Sequence, residues 1–320
     1  MQKQNKLTKN GVKLIKLLTS FLILGLFLFF AWKWADVALL KAGFLFLIQN
    51  PFWILAMLLV YGCAFFLRAF AWYLYVNRRI SFQVCIHALW YSMFLNHILP
   101  IKIGDGVRIA FAMHDRKLSL DEATHSVIVL RLLDLLVLIS FSGFGFFYFY
   151  GMISNQILLY FSTSIVFLAF LMFFSKKIKI GFVQKHLGML RSVFYSRKGI
   201  LIISLTMVSW VLEGIVIYGV SHAFSLELNY FSSVFINSIT VAGQVFQILP
   251  GGIGTYEAMM TAVLIGREID GGLAFQIALI SHAFKFIFSY LVGIYAIIRS
   301  PFHWSELLKN RGGIKDEKCI

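Results

Sequence analysis

Charge is scarce in this chain. Only 13% of its 320 residues are charged, against about 25% in soluble domains. Such a composition excludes a surface that is mostly solvated. Proline is rarer still, with four in the whole chain, so long stretches carry no helix breaker. The three cysteines, Cys63, Cys85 and Cys319, follow no spacing of a disulfide framework or a metal site. Cys63 and Cys85 read as small core residues, and Cys319 as part of a cytosolic tail. No GxxxxGK[ST] phosphate loop is present, so direct ATP drive has no support. His87, His97, His114, His125, His222 and His282 also lack metal-ligand spacing. They read as core or interface hydrogen-bonders, and no cofactor or metal is expected.

What is present is apolar. Hydrophobic residues make up 60% of the chain and the mean hydropathy is +0.82. Runs such as "SFLILGLFLFFAW" and "LIISLTMVSWVLEGIVIYGV" are long enough to contribute to helices crossing a hydrocarbon core of about 30 Å. The first run lacks a small-x-small cleavage site, and more spans follow it, so it does not read as a signal peptide. The expected fold class is an all-α polytopic membrane protein, with six full spans at 14–32, 52–75, 123–150, 156–174, 200–223 and 273–298. Residues 37–48 are too few for a span and read as a buried or interfacial helix.

The net charge of +15 forms no nucleic-acid groove and follows the positive-inside rule instead. Bases cluster at the N-terminus, at Arg78 and Arg79, at Arg116 and Lys117, through a central loop from Lys176 to Lys198, and after Arg299. Only Lys33, Lys41 and Arg267 fall in outer loops. Both termini are therefore expected in the cytoplasm, of a prokaryotic inner-membrane protein. This requires 81–118 to return to the cytoplasmic side and 231–266 to the outer side.

Those two segments carry an internal repeat. "NHILPIKIGDGVRI" begins at Asn96, and "QILPGGIGTYEA" follows about 150 positions later. Ile98, Leu99, Pro100, Ile103 and Gly104 match Ile248, Leu249, Pro250, Ile253 and Gly254. Pro51, Pro100, Pro250 and Pro301 all lie at inferred boundaries or breaks, where a missing N–H is tolerated. The chain thus reads as one transmembrane domain, 1–320, with pseudo-repeats at 14–150 and 156–298 and a tail at 299–320. Each repeat runs span, span, broken hairpin, span, and the second is inverted relative to the first. Inverted repeats with broken helices near the midplane are a transporter device. Irregular backbone at that depth must be buried in protein or line a polar cavity.

An ionisable side chain in the hydrocarbon is costly unless paired or facing a wet interior. Asp105 and Arg108 follow the first break, Glu257 follows the second, and Glu213 and Lys285 interrupt apolar runs. Arg131 and Asp134 are three apart on one helical face, as a structural ion pair or as ligand contacts. Arg68 reads as snorkelling to the cytoplasmic interface. Arg108, Arg131 and Lys285 are the candidate phosphate contacts, with Asp105, Asp134, Glu213 and Glu257 as cavity or coupling acids. Asn96, Pro100, Gly104, Pro250, Gly251, Gly252 and Gly254 shape the breaks. Thr255 is either the first residue of the second arm or its N-cap.

At "NHILPIKIGDGVRI", "VLRLLD", "QILPGGIGTYEA" and "HAFKF" the chain resembles the lysylphosphatidylglycerol synthase transmembrane-region family, over essentially its whole length. Lys285 stands where that pattern commonly has arginine, which keeps charge but not the bidentate fork. The resemblance implies a flippase-like domain that moves a lipid with a phosphate headgroup between leaflets. Multidomain relatives add a soluble aminoacyltransferase domain, for which the short tail here leaves no room. Other stand-alone relatives are associated with isoprenoid-linked sugars or unknown lipids. Membrane lipids are the expected partners, with a separate lipid-modifying enzyme as a further one. The alternatives are an intramembrane lipid- or glycolipid-processing enzyme and an accessory subunit of a lipid synthase.

Overall fold

A computed structural model describes residues 21–99, 103–114, 117–150, 193–244 and 249–300, apart from 23 and 26. Every regular element among them is helical. Helix α1 spans Val37–Gln49, α2 Pro51–Tyr75, α3 Phe82–Ile98, α4 Gly104–Met113 and α5 Leu120–Tyr150. Then come α6, Arg197–Glu213, α7, Ile215–Ala223, and α8, Tyr230–Gly243. A 3-10 turn at Pro250–Gly252 precedes α9, Thr255–Ile265, and α10, Gly271–Arg299.

Among the described residues, four stretches are long and apolar enough to cross a membrane: α2, α5, α6 continuing into α7, and α10. They carry the expected spans at 52–75, 123–150, 200–223 and 273–298. The expected span at 156–174 lies outside the described residues. That at 14–32 is described only in part, its visible portion being helical. The 13-residue α1 packs against α7 and α10, which suits a helix too short to span.

Local chemistry sets most helix starts. Pro51 opens α2 at a position where its missing N–H leaves nothing unpaired. The side chains of Ser81, Ser196, Asn229 and Asp270 cap α3, α6, α8 and α10, each accepting from a backbone N–H three residues on. Both hairpins are closed at the second arm. In the first, Asn96 Oδ1 accepts from Gly104 N–H at 2.9 Å. In the second, Glu257 Oε2 accepts from Gly254 N–H at 2.7 Å, so α9 begins at Thr255 with Gly254 as its cap.

Packing pairs the elements in a regular way. Helix α2 lies along α6, α3 packs on α10, and α8 packs on α5. Within each hairpin α3 meets α4 and α8 meets α9, while α4 leans on α5 and α9 on α10. The buried apolar side chains form two large clusters. One gathers most of α2 with α3, α4, the first half of α5 and the end of α10. The other gathers α7, α8, α9 and the start of α10. Along α10, Ile280 belongs to one and Phe288 to the other, with His282 and Lys285 between them. Polar side chains thus occupy a seam in the core. Cys85 is buried as expected; Cys63 is exposed, on a face of α2 turned away from the bundle.

Candidate functional site

A cavity of about 390 Å³ opens in that seam. Helices α2, α3, α4, α5, α6 and α10 all contribute to its wall, as do Gly251 of the second break and Tyr256 of α9. Its charged lining is Arg68, Asp105, Arg108, Arg131, Asp134, Glu213 and Lys285.

These seven side chains form one chain of alternating sign. Arg108 Nη1 lies 3.5 Å from Asp105 Oδ1, and Asp105 accepts from Arg131 Nε and Nη2, each at 2.9 Å. Arg131 Nη1 reaches Asp134 Oδ2 at 3.9 Å, and Asp134 Oδ1 lies 4.0 Å from Arg68 Nε. Arg68 Nη2 meets Glu213 Oε1 at 2.5 Å, and Glu213 Oε2 lies 3.7 Å from Lys285 Nζ. Four bases face three acids, leaving one positive charge in excess. Aromatic faces support the cations: Trp210 sits 3.7 Å from the Arg68 guanidinium, and Trp72 4.8 Å from that of Arg108. Trp210 also donates its indole N–H to Asp134 at 2.9 Å. Lys285 donates to Asn237 Oδ1 at 2.8 Å. Arg108 Nε and the Tyr256 hydroxyl, on residues that line the cavity, are buried without a hydrogen-bond partner among the described residues.

Of the residues singled out from sequence, Asn96, Asp105, Arg108, Arg131, Asp134, Glu213, Gly251 and Lys285 line this one cavity. Gly104 stands behind it, where a Cβ would meet Ser92 Oγ at 2.3 Å. Gly251, Gly252 and Gly254 all have positive φ, 64°, 80° and 79°, which explains three glycines in one short break. Pro250 starts the 3-10 turn, and Pro100 lies outside the described residues.

Three placements differ from local reading. Arg68 does not snorkel; it turns inward to Glu213, because α6 presents a carboxylate and an indole face to it. Arg131 bonds tightly across to Asp105 on α4 and only loosely to Asp134 one turn away on its own helix. Glu257 lies off the cavity lining and pairs with His282, whose Nδ1 is 2.6 Å from Glu257 Oε1. Lys285 and Arg68 look to Glu213 instead.

Sequence reasoning passed over Trp210 and Asn237, and read His282 only as a core or interface hydrogen-bonder. The one available signal for His282 was its spacing, three residues from Lys285 and so on the same helical face. No group of three or more His, Cys, Asp or Glu side chains suited to a metal ion occurs among the described residues.

Long apolar helices, two broken hairpins and a charge-lined cavity in the core define a polytopic α-helical membrane protein. The chain matches the family described as the lysylphosphatidylglycerol synthase TM region over residues 13–293, and it belongs to that family. What it shares with the family is a transmembrane region, not a catalytic domain. It is also 24% identical over 216 residues to the UPF0104 membrane protein MJ1078 of Methanocaldococcus jannaschii, covering 63% of this chain and 92% of that protein. No solved structure gives a significant match.

Proposed function

We propose that the protein moves an anionic or zwitterionic lipid between leaflets, the headgroup passing through the cavity while the acyl or prenyl tails stay in the bilayer. One observation carries this reading above the rest: seven charges line a single cavity in the apolar core, with bases in excess of acids by one. Ion pairs inside an apolar core often add no stability over well-packed apolar side chains, so charges gathered on one cavity favour a ligand-binding role. It suits a phosphate headgroup, to which Arg108, Arg131 and Lys285 would donate. The unpartnered Arg108 Nε and Tyr256 hydroxyl are further donors awaiting a ligand. Membership of a family named for the membrane region of a phospholipid synthase agrees with a lipid cargo.

The inverted repeat belongs to the same proposal. Exchanging the two halves maps α3 on α10 onto α8 on α5, and α4 on α5 onto α9 on α10, and each of these contacts exists. With spans at 14–32 and 156–174 added, the chain has six crossings, two re-entrant hairpins and both termini in the cytoplasm. Two related halves around one central site can trade inward-open and outward-open states.

Reconstitution tests the function. In vesicles containing fluorescent phosphatidylglycerol, phosphatidylethanolamine or a polyprenyl phosphate, the protein is expected to speed transbilayer movement of at least one lipid. Movement no faster than in protein-free vesicles, for every lipid in the panel, refutes it.

A further inference from the structure

The second break contains a proton count that neutral histidine cannot satisfy. His282 is buried, and both of its ring nitrogens face oxygen acceptors. Nδ1 is 2.6 Å from Glu257 Oε1, and Nε2 is 3.1 Å from the Gly251 carbonyl oxygen. A neutral imidazole offers one donor and one lone pair. Against an ionised Glu257, either tautomer would therefore press a lone pair onto an oxygen. The geometry is satisfied only when the pair holds one more proton, on the imidazole or on the carboxyl. Glu257 Oε2 is already engaged by Gly254 N–H, so the proton belongs on the His282 side of the carboxylate.

We propose that His282 and Glu257 form a proton-binding site that latches the second helix break, and that a proton accompanies the anionic headgroup through the cavity. The latch follows from what Nε2 holds. Gly251 belongs to the 3-10 turn Pro250–Gly252 and lines the cavity, with φ at 64°. When the proton leaves for the cavity, the remaining N–H stays with the carboxylate at Nδ1. The Nε2 lone pair then faces the Gly251 carbonyl, and the turn loses its tether. No other bond changes, and the charge of the pair falls from zero to minus one. The surrounding charges set the coupling. Lys285 lies one turn further along α10, Tyr256 of α9 stacks on the imidazole at 4.1 Å, and His97 of α3 shares the Phe286 ring with His282. Glu213 of α6, with Tyr61 and Arg68 of α2, completes the wall on the far side of Lys285. A protonated pair leaves the cavity its excess positive charge, and a deprotonated pair cancels it. Proton and anion thus favour each other's binding, and by linkage the effect is reciprocal.

The proton site stands on its own geometry, whereas the coupling rests on the lipid-moving reading. Glu257→Gln separates the two. Its amide N–H would donate to Nδ1 and its carbonyl oxygen would accept from Gly254 N–H, completing the network with no titrating proton. 15N and 13C spectra of histidine- and glutamate-labelled protein test the site: at neutral pH wild type must show one ring with no bare nitrogen or one protonated carboxyl, absent from Glu257→Gln, and a wild type with neither signal sinks the idea. For the coupling, vesicles carrying fluorescent phosphatidylglycerol are given a pH gradient. Movement toward the alkaline leaflet is expected to rise several-fold in wild type and to lose that response in Glu257→Gln. Equal gradient responses refute the coupling. Lipid that never moves in wild type, beside an intact spectroscopic signal of the extra proton, refutes the transport reading and leaves the proton site standing.

Discussion

Glu213 sits between two cations, 2.5 Å from Arg68 Nη2 and 3.7 Å from Lys285 Nζ, and only 3% of it is exposed. Removing its charge strands both bases in the core, and breaking a buried pair in this way costs about 3–5 kcal/mol. Glu213→Gln is therefore expected to unfold in detergent at much lower denaturant than wild type. An unchanged midpoint would mean that the two bases are held by something other than this carboxylate. Lys285 poses the complementary case. Lys285→Met keeps much of the stem and removes the donor to Asn237 and the positive charge facing the cavity. Losing one charge-assisted contact to a phosphate corresponds to about 1.5–3 kcal/mol, or roughly ten-fold or more in lipid movement. Lys285→Arg should retain more of it, and normal movement in folded Lys285→Met would remove Lys285 from the headgroup site.

The two hairpins solve one problem, a helix that stops inside the bundle, with different glycines. At Gly251 the backbone is left-handed and an added Cβ would lie 2.3 Å from Phe286 Cζ. Gly106, two residues into α4, has open space around it and an ordinary helical conformation. The same substitution should thus act in opposite directions. Gly251→Ala is expected to destabilise by about 1–3 kcal/mol through strain at positive φ. Gly106→Ala should stabilise by about 0.5–1 kcal/mol, because alanine gives up less conformational freedom in a helix. Denaturant melts of the two variants decide the matter, and shifts of the same sign would contradict this account of the breaks.

At the scale of the whole molecule, α5 and α10 each receive an aromatic ring from the first arm of a hairpin. Phe235 of α8 seats on Gly145 of α5, where an added Cβ would fall 1.9 Å from the ring. Phe94 of α3 seats on Gly293 of α10, where it would fall 2.3 Å from the Phe94 Cβ. If the halves move against each other at these contacts, Gly145→Val and Gly293→Val should each hinder lipid movement and lower stability, overpacking costing about 1–3 kcal/mol. A vesicle assay on the folded fraction reads the first effect, and undiminished movement in both would exclude these contacts from the moving interface. Topology is testable alongside. Reporters at Arg78 and at the C-terminus are expected inside, and one at Arg267 outside; an outer signal from Arg78 would reverse the charge argument.

What the residue order alone determined is what depends on near neighbours. Twenty or so apolar residues in a row must lie in hydrocarbon as helix, since no other backbone satisfies its own polar groups there. The positions of α2, α5, α6 with α7, and α10 follow from that. Proline and glycine act on their own turn, so both breaks and the charges beside them were legible from "ILPIKIG" and "ILPGGIG". Which charge meets which was not. Arg131 has an acid three residues on, yet its short bonds go to Asp105, 26 residues away on another helix. Arg68 could reach the interface or the interior equally well along α2, and the carboxylate of Glu213, brought in by α6, settles it. Long side chains sample partners over several ångströms, so their pairing is fixed by how helices pack rather than by spacing. His282 carries the same lesson in a sharper form. A lone histidine in an apolar run has no readable chemistry until the fold sets a carboxylate on one ring nitrogen and a carbonyl on the other.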